Sequence, residues 1–333
     1  MTGKKIGICF IGCGSIAAVH AKHIKKRSGQ FDIYFASRDL VKAKKYSERF
    51  GGKEAFGSYA EAAESERVDI FFICTPPGDH LNSLRLAAES GKDVIVEKPA
   101  ARSVKEIDSM IDLVQRNDVR CMVAENYQFK PSLLKITDLL ESGIIGEPLH
   151  IDLKKAVLQE VEGWRGNTDL LGGGALLEGG VHWIRAMTML GGKVLNLKAS
   201  SPDYEEKNNT LFETTVNLSL KFKGKLTGNL FHSWSTKTKT KGLSMSRIYG
   251  SDGIIHFESN GIFILVRGKK NRLYFPEVGD MLGFKAMHKE IADCFIHGKK
   301  IISDLNAAKN DIAIVEAAYK SIKSNSVEWL STH

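Results

Sequence analysis

Cysteine is scarce and unpaired in this chain. The five residues Cys9, Cys13, Cys74, Cys121 and Cys294 among 333 are odd in number and lack the paired spacing of a zinc site or a disulfide framework. They fall mostly within or at the ends of apolar runs, as small buried residues of a reducing compartment do. No metal site is expected. Long apolar runs are missing as well: the stretch from Ile6 to Ile11 is too short to span a bilayer and leads into a glycine turn, not a small-residue cleavage site. The expectation is a cytoplasmic protein with no membrane partner. No internal repeat or low-complexity linker interrupts the chain, so two domains packed on each other are expected.

What is present is ordinary for a globular protein: 43% apolar and 26% charged residues, enough for a sizeable core. Lys and Arg outnumber Asp and Glu by 47 to 39, a net charge of +8, which suits anionic ligands such as phosphates. A solvated basic surface accounts for this excess better than nucleic-acid binding does. From residue 4 to about 126, short β-rich runs at 4–11, 31–37, 53–56, 68–74, 93–97 and 120–125 alternate with amphipathic helical stretches, the pattern of a parallel sheet covered on both faces. Asp39, Ser58 and Ser103 stand where helices start, the last with Glu106 as a capping box. After Pro131 a helix runs to about Glu141. Alternating runs at 148–160, 211–235, 245–257 and 261–275 then read as antiparallel strands, and helical stretches at 281–297 and 305–324 close the chain. The domains are placed at 1–126 and 127–333.

Two motifs carry chemistry. Gly12-Cys13-Gly14-Ser15-Ile16-Ala17 follows the first strand and opens a helix. The first glycine permits the turn, the second lets backbone amides approach a pyrophosphate, and the small third residue lets helix and strand pack closely. At the second strand, an NAD site needs an acid at the carboxyl end. Asp32 lies at the other end, and the correct edge carries Ser37 and Arg38. A hydroxyl plus a guanidinium suits a ribose 2′-phosphate, which favours NADP over NAD. The second motif is Glu97-Lys98-Pro99, which brings an ammonium group to the carboxyl edge of a buried strand, where open α/β sheets bind ligands. Between them, Thr75-Pro76-Pro77 ends the fourth strand and His80 begins the next helix; His80 as a plain surface residue weighs evenly with a ligand role on this reading alone.

These motifs, together with Asn126-Tyr127-Gln128-Phe129-Lys130-Pro131, Gly143-Ile144-Ile145-Gly146-Glu147-Pro148, Trp164-Arg165 and Gly172-Gly173-Gly174-Ala175-Leu176-Leu177-Glu178-Gly179-Gly180-Val181-His182, resemble the glucose-fructose oxidoreductase and inositol dehydrogenase family (Gfo/Idh/MocA). The resemblance covers nearly the whole chain. It implies an N-terminal Rossmann doubly wound parallel sheet and a C-terminal α/β domain with an open, mainly antiparallel sheet, through which subunits form a homodimer or homotetramer. It implies NAD(P)-dependent chemistry on a sugar, a cyclitol or a derivative. It also implies that Thr75, Pro76, His80, Glu97 and Asn126 line the cofactor, with Trp164 and Arg165 nearby; Gly12, Gly14, Ser15, Ile16, Ser37, Arg38 and Lys98 are expected at the same site. The chain departs from the family in having Glu178 where Asp is common and Gln128 where Arg is frequent, so substrate geometry does not transfer directly.

Oxidation of a secondary alcohol needs a hydride acceptor, a base at the hydroxyl and a positive donor that favours alkoxide character. Lys98 and His182 fit the last two needs and are expected beside one nicotinamide site. Glu178, four residues before His182 on a helix, shares its face and can bind a substrate hydroxyl or orient the imidazole. A helix starting after Gly172-Gly173-Gly174 leaves free amide donors there. Lys221, Lys223 and Lys225 alternate as on one strand face, as do Lys237, Lys239 and Lys241; a solvated face explains them better than a phosphosugar site. The leading function is a hydride-transferring oxidoreductase. The alternatives are an NAD-dependent glycoside hydrolase of the same family and a non-catalytic dinucleotide sensor, which the intact Glu97-Lys98-Pro99 and His182 argue against.

Overall fold

The computed structural model describes residues 5–208, 210–237 and 243–330. By its contacts the chain forms two units. The first runs to Glu125 and includes Met287–Lys309; the second comprises Asn126–Ala286 and continues from Asn310. The segment 287–309 thus lies beyond the second domain in sequence order yet is counted with the first.

In the first unit, β1 (Ile6–Ile11), β2 (Phe31–Ala36), β3 (Glu54–Phe56), β4 (Ile70–Ile73), β5 (Asp93–Glu97) and β6 (Cys121–Ala124) form one sheet in the order β3-β2-β1-β4-β5-β6. Every pairing is parallel. The order reverses at β1, which creates the switch point where such sheets take ligands. The strands are apolar on both faces because helices cover both: Ile8, Phe10, Phe71, Phe72, Ile95 and Val96 are all inaccessible. Phe10 stacks between Phe35 and Phe72 at 5.3 and 5.2 Å. Each such side chain contributes about 1.5–3 kcal/mol by burial.

The connecting helices are α1 (Ser15–Lys25), α2 (Leu40–Phe50), α3 (Tyr59–Glu64), α4 (His80–Glu89) and α5 (Val104–Arg116). Asp39, Ser58 and Ser103 cap α2, α3 and α5 through the backbone amides of Lys42, Glu61 and Glu106. Glu106 does not close the expected box onto Ser103. Its carboxylate takes the amide and guanidinium of Arg102 instead, because an arginine one residue earlier offers a charged partner.

In the second unit α6 (Pro131–Glu141), α7 (Thr168–Leu171) and α8 (Val181–Gly191) precede or flank a nine-stranded sheet. Its strands are β7 (Pro148–Ala156), β8 (Val194–Ser200), β11 (Thr215–Phe222), β12 (Thr227–Ser233), β13 (Met245–Gly250), β14 (Gly253–Glu258), β15 (Ile264–Arg267), β16 (Arg272–Tyr274) and β17 (Glu328–Trp329), and β9 (Glu205–Lys207) and β10 (Thr210–Phe212) form a separate hairpin. The order is β16-β15-β14-β13-β7-β12-β11-β8-β17. Only the β7–β12 pair among these is parallel. The sheet is therefore open and mainly antiparallel, as expected. In β11 the odd positions Asn217 and Ser219 are exposed while Val216, Leu218, Leu220 and Phe222 are buried, so one face is covered and one is open. Helices α9 (Phe284–His297) and α10 (Leu305–Ser324) complete the chain.

The lysine stripe does not form. β11 ends at Phe222, so Lys221 lies on the strand while Lys223 and Lys225 fall in the turn to β12, where the Lys225 carbonyl accepts from Lys221 Nζ at 3.2 Å. Lys237 follows β12 outside any strand; Lys239 and Lys241 lie outside the described residues.

The glycine turn before Glu178 also departs from expectation. Its amides are not left free: Gly174 N donates to the Tyr319 hydroxyl at 3.0 Å, Ala175 N to the Glu213 carbonyl at 2.8 Å and Leu176 N to Glu213 Oε1 at 2.6 Å. Glu213, just before β11, thus caps the turn with both its carboxyl and its backbone carbonyl, so close that a Cβ on Gly174 would sit 2.2 Å from that carbonyl oxygen. Next comes a π-helical turn, Leu176–Gly180, which passes into α8. The step from Glu178 to His182 therefore crosses a widened turn and not the regular α-helix the spacing suggested.

Glu213 is inaccessible, and burial pushes its carboxyl up to about 8 from the usual 4.5. A carboxyl whose folded value is raised binds its proton more tightly in the native state, so the stability it confers is complete below pH 4.5 and is lost as pH rises to about 8. Glu213→Gln keeps the acceptor and cannot ionise. Thermal melts should show wild type losing stability relative to Glu213→Gln as pH rises through that window; parallel curves across it would contradict a buried protonated carboxyl.

Candidate functional site

Gly12 adopts φ +92°, a left-handed conformation that favours glycine. Any Cβ there would lie 3.2 Å from the Thr75 methyl. Gly14, by contrast, has open space where its Cβ would stand. It is the N-cap of α1 and supplies no side-chain cap, so the first amides of that helix keep their hydrogens for an external acceptor. Ser15 is exposed and Ile16 half-buried at this amino end. Across the turn, Thr75 Oγ1 is buried without a hydrogen-bond partner, a donor awaiting an acceptor. A positive helix end, the open approach beside Gly14 and an orphaned hydroxyl together fit the diphosphate of a dinucleotide.

At the end of β2, Ser37 is buried and its Oγ accepts from the Asp39 amide at 3.2 Å. Arg38 is exposed. Asp39 is occupied as the cap of α2. Asp32 pairs with Gly7 at the amino end of the strand and lies 3.8 and 3.9 Å from Lys5 and Lys53, so it is engaged at the opposite edge.

Pro76 leads into a short turn and then α4. His80 is buried, with Nε2 2.8 Å from the Thr75 carbonyl and Nδ1 3.1 and 3.2 Å from those of Pro99 and Ala100. Burial pulls its proton affinity down, against the pull of those carbonyls. The ring therefore ties the end of β4 to the chain after β5. Glu97, the last residue of β5, is buried, while Lys98 is half-buried and joined to Pro99 by a cis peptide. Lys98 N donates to Glu97 Oε2 at 3.0 Å.

The second unit assembles a different group. His182 stacks on Tyr127 with ring centroids 4.4 Å apart and planes 16° apart, and Tyr127 meets Trp183 edge-on at 5.1 Å. Arg165 Nε donates to Glu178 Oε1 at 3.1 Å, and its guanidinium lies 4.8 Å from the centre of the Trp164 ring. Asn126 Nδ2 donates to the Leu282 carbonyl at 2.6 Å. The structure thus joins Trp164, Arg165 and Glu178, and gives His182 an aromatic platform.

Sequence reasoning passed over two participants here. Tyr127 was visible only as part of a motif. Lys130 lies wholly buried with Nζ 2.7 Å from the Ser259 carbonyl and 4.4 Å from the Tyr127 ring centre, and burial lowers it to about 7. A lysine before a proline carries no sign that it points inward. No cluster of three or more His, Cys, Asp or Glu side chains that could hold a metal occurs among the described residues, and none of their helices is long and apolar enough to cross a membrane.

Comparison with known proteins agrees with this architecture. Residues 6–125 match an oxidoreductase family with an NAD-binding Rossmann fold, and residues 133–256 match the GFO/IDH/MocA C-terminal domain. A trans-1,2-dihydrobenzene-1,2-diol dehydrogenase of Danio rerio is 25% identical over 287 residues, 83% of each chain. A D-xylose 1-dehydrogenase [NADP(+)] of Haloarcula marismortui is 29% identical over 132 residues, 38% of this chain and 37% of the relative. A levoglucosan dehydrogenase solved with NADH and levoglucosan superposes with a TM-score of 0.88 at 18% identity, over 99% of this chain and all of that one. With the dinucleotide cradle in the first unit and both domain models matched in order, this chain belongs to the Gfo/Idh/MocA family and is an NAD(P)-dependent oxidoreductase.

Proposed function

We propose that this enzyme oxidises a secondary hydroxyl of a sugar, cyclitol or sugar derivative, or reduces the matching ketone, with Lys98, His182 and Glu178 as the groups that touch substrate. The observation that carries this reading is position. Lys98 directly follows the last residue of β5, at the carboxyl edge that also presents the uncapped end of α1 and the orphaned Thr75 hydroxyl. The dehydrogenases named above act on a xylose, a levoglucosan and a dihydrodiol by their names, and all three carry more than one hydroxyl on a small carbon skeleton.

When bound, the nicotinamide supplies the hydride acceptor. The Lys98 ammonium donates a hydrogen bond to the reacting oxygen and stabilises the charge it develops. His182 takes the hydroxyl proton, and returns it in the reductive direction. Its stacking on Tyr127 fixes the ring plane and leaves the imidazole half-accessible. Glu178, steadied by Arg165, accepts from a neighbouring substrate hydroxyl; its extra methylene relative to the family aspartate places that acceptor further from the backbone.

The cradle residues Gly12, Gly14, Ser15 and Ile16 would hold the diphosphate, and Thr75, Pro76, Glu97 and Asn126 would also line the cofactor. His80 supports this edge through the backbone of Thr75, Pro99 and Ala100. Arg38, exposed and next to Ser37 at the correct edge, supports NADP over NAD. The five buried, unpaired cysteines suit the cytoplasm. The open face of the nine-stranded sheet, with a shallow groove among His150, Asp152, Asn217, Asn229, Phe231 and Tyr249, suits a homodimer or homotetramer.

Purified Lys98→Ala and His182→Ala proteins should retain cofactor affinity yet lose about 100-fold or more in hydride transfer, measured as nicotinamide absorbance with a panel of sugars; wild-type turnover in both would remove the assignment. Arg38→Ala should weaken NADP binding about tenfold, the worth of one charge-assisted hydrogen bond, and leave NAD unchanged; equal losses for both cofactors would point to adenine stacking instead. Sedimentation at micromolar concentration should give a dimer or tetramer, and a monomer would rule out assembly through the sheet.

A further inference from the structure

Glu97 is held from two sides. One carboxylate oxygen accepts from the Lys98 amide at 3.0 Å, and the other lies 2.5 Å from His20 Nε2. The opposite ring nitrogen of His20 faces His288 Nε2 at 3.1 Å, so one of these imidazoles donates and the other accepts. His288 in turn stacks on His23 at 4.8 Å, with ring planes 15° apart, and Phe72 packs against His20 at 4.4 Å. His20 is inaccessible, His288 is 1% exposed and Glu97 5% exposed. All of these residues belong to the first unit.

Three polar side chains buried together at the end of β5 confer no stability that packed hydrocarbon would not. What they supply is direction. His20 lies on α1, whose amino end forms the dinucleotide cradle; Glu97 ends β5; His288 comes from α9, 268 residues away. We propose that His20, itself oriented by His288, is a positioning residue that fixes the Glu97 carboxylate and, through it, the backbone from which Lys98 projects, coupling the cradle helix to the strand edge that carries the reactive ammonium. This rests on the reading of Lys98 given above.

The ring has two separable contacts, and two amides separate them. The glutamine side-chain amide reaches the place of Nε2, toward Glu97; the asparagine amide reaches only the place of Nδ1, toward His288. His20→Phe and His20→Asn should lower kcat about 10- to 100-fold, the scale of a small misplacement of a reacting group, with little change in substrate KM or melting temperature. His20→Gln should recover most of that loss. In a Glu97→Ala background, His20→Phe should have no further effect, as expected of two residues acting through one contact. His288→Phe, which removes the partner of His20 Nδ1, should show a weaker form of the same kcat loss. Wild-type kcat in His20→Phe, or losses that multiply with Glu97→Ala, would overturn the proposal. Turnover surviving in Lys98→Ala would instead sink the reading of Lys98, while the His20–Glu97 cycle would still report whether those two residues are coupled.

Discussion

A parallel sheet buried on both faces has only its edges to offer a ligand, and in this chain that constraint organises the first unit. The strands are filled with Ile, Val and Phe because helices lie over both surfaces. Polar chemistry is confined to where strands stop: Gly12 and Gly14 after β1, Ser37 and Arg38 after β2, Thr75 after β4, Glu97 and Lys98 at the end of β5. His20, Glu97 and His288 form a buried polar cluster at a strand end, joined by hydrogen bonds. Stability and reactivity are thereby kept in different layers of the same unit.

The second unit solves a different problem, how to hold Glu178 and His182 on a turn rich in glycine. Three consecutive glycines have little preference of their own. Order comes from Glu213 and Tyr319, which take the amides of Gly174, Ala175 and Leu176, and from Tyr127, on which His182 lies flat. The price is a buried carboxyl raised to about 8. Its protonated form accepts from Leu176 without placing a bare charge in the interior.

Much of this fold was legible because its signals are local. The six strands of the first sheet fall on short apolar runs, four of which, β1, β3, β4 and β5, end within three residues of a glycine or proline, and α10 occupies the 305–324 span that helical periodicity gives. β8 was missed although Leu195 to Ser200 alternates apolar and polar residues; the run is short, and its place beside β11 is set by pairing with residues further along the chain. The cradle and the Lys98 edge were legible for the same local reason. His20, His288, Glu213 and Lys130 were not, since each matters through a partner far along the chain and its immediate neighbours say nothing of it. The free amides expected at the glycine turn failed on this point: the acceptors are Glu213, 37 residues from Leu176, and Tyr319, 145 residues from Gly174.

The central claim is that a carbinol hydrogen of the substrate passes to a nicotinamide that leaves the enzyme and is replaced. A sugar substrate deuterated at the oxidised carbon tests it most directly, with the cofactor isolated after many turnovers and examined by mass spectrometry. The account predicts reduced nicotinamide well in excess of enzyme, each molecule carrying one deuterium. Reduced cofactor limited to one equivalent per chain while a glycosidic bond is cleaved, or accumulated cofactor without the label, would contradict it.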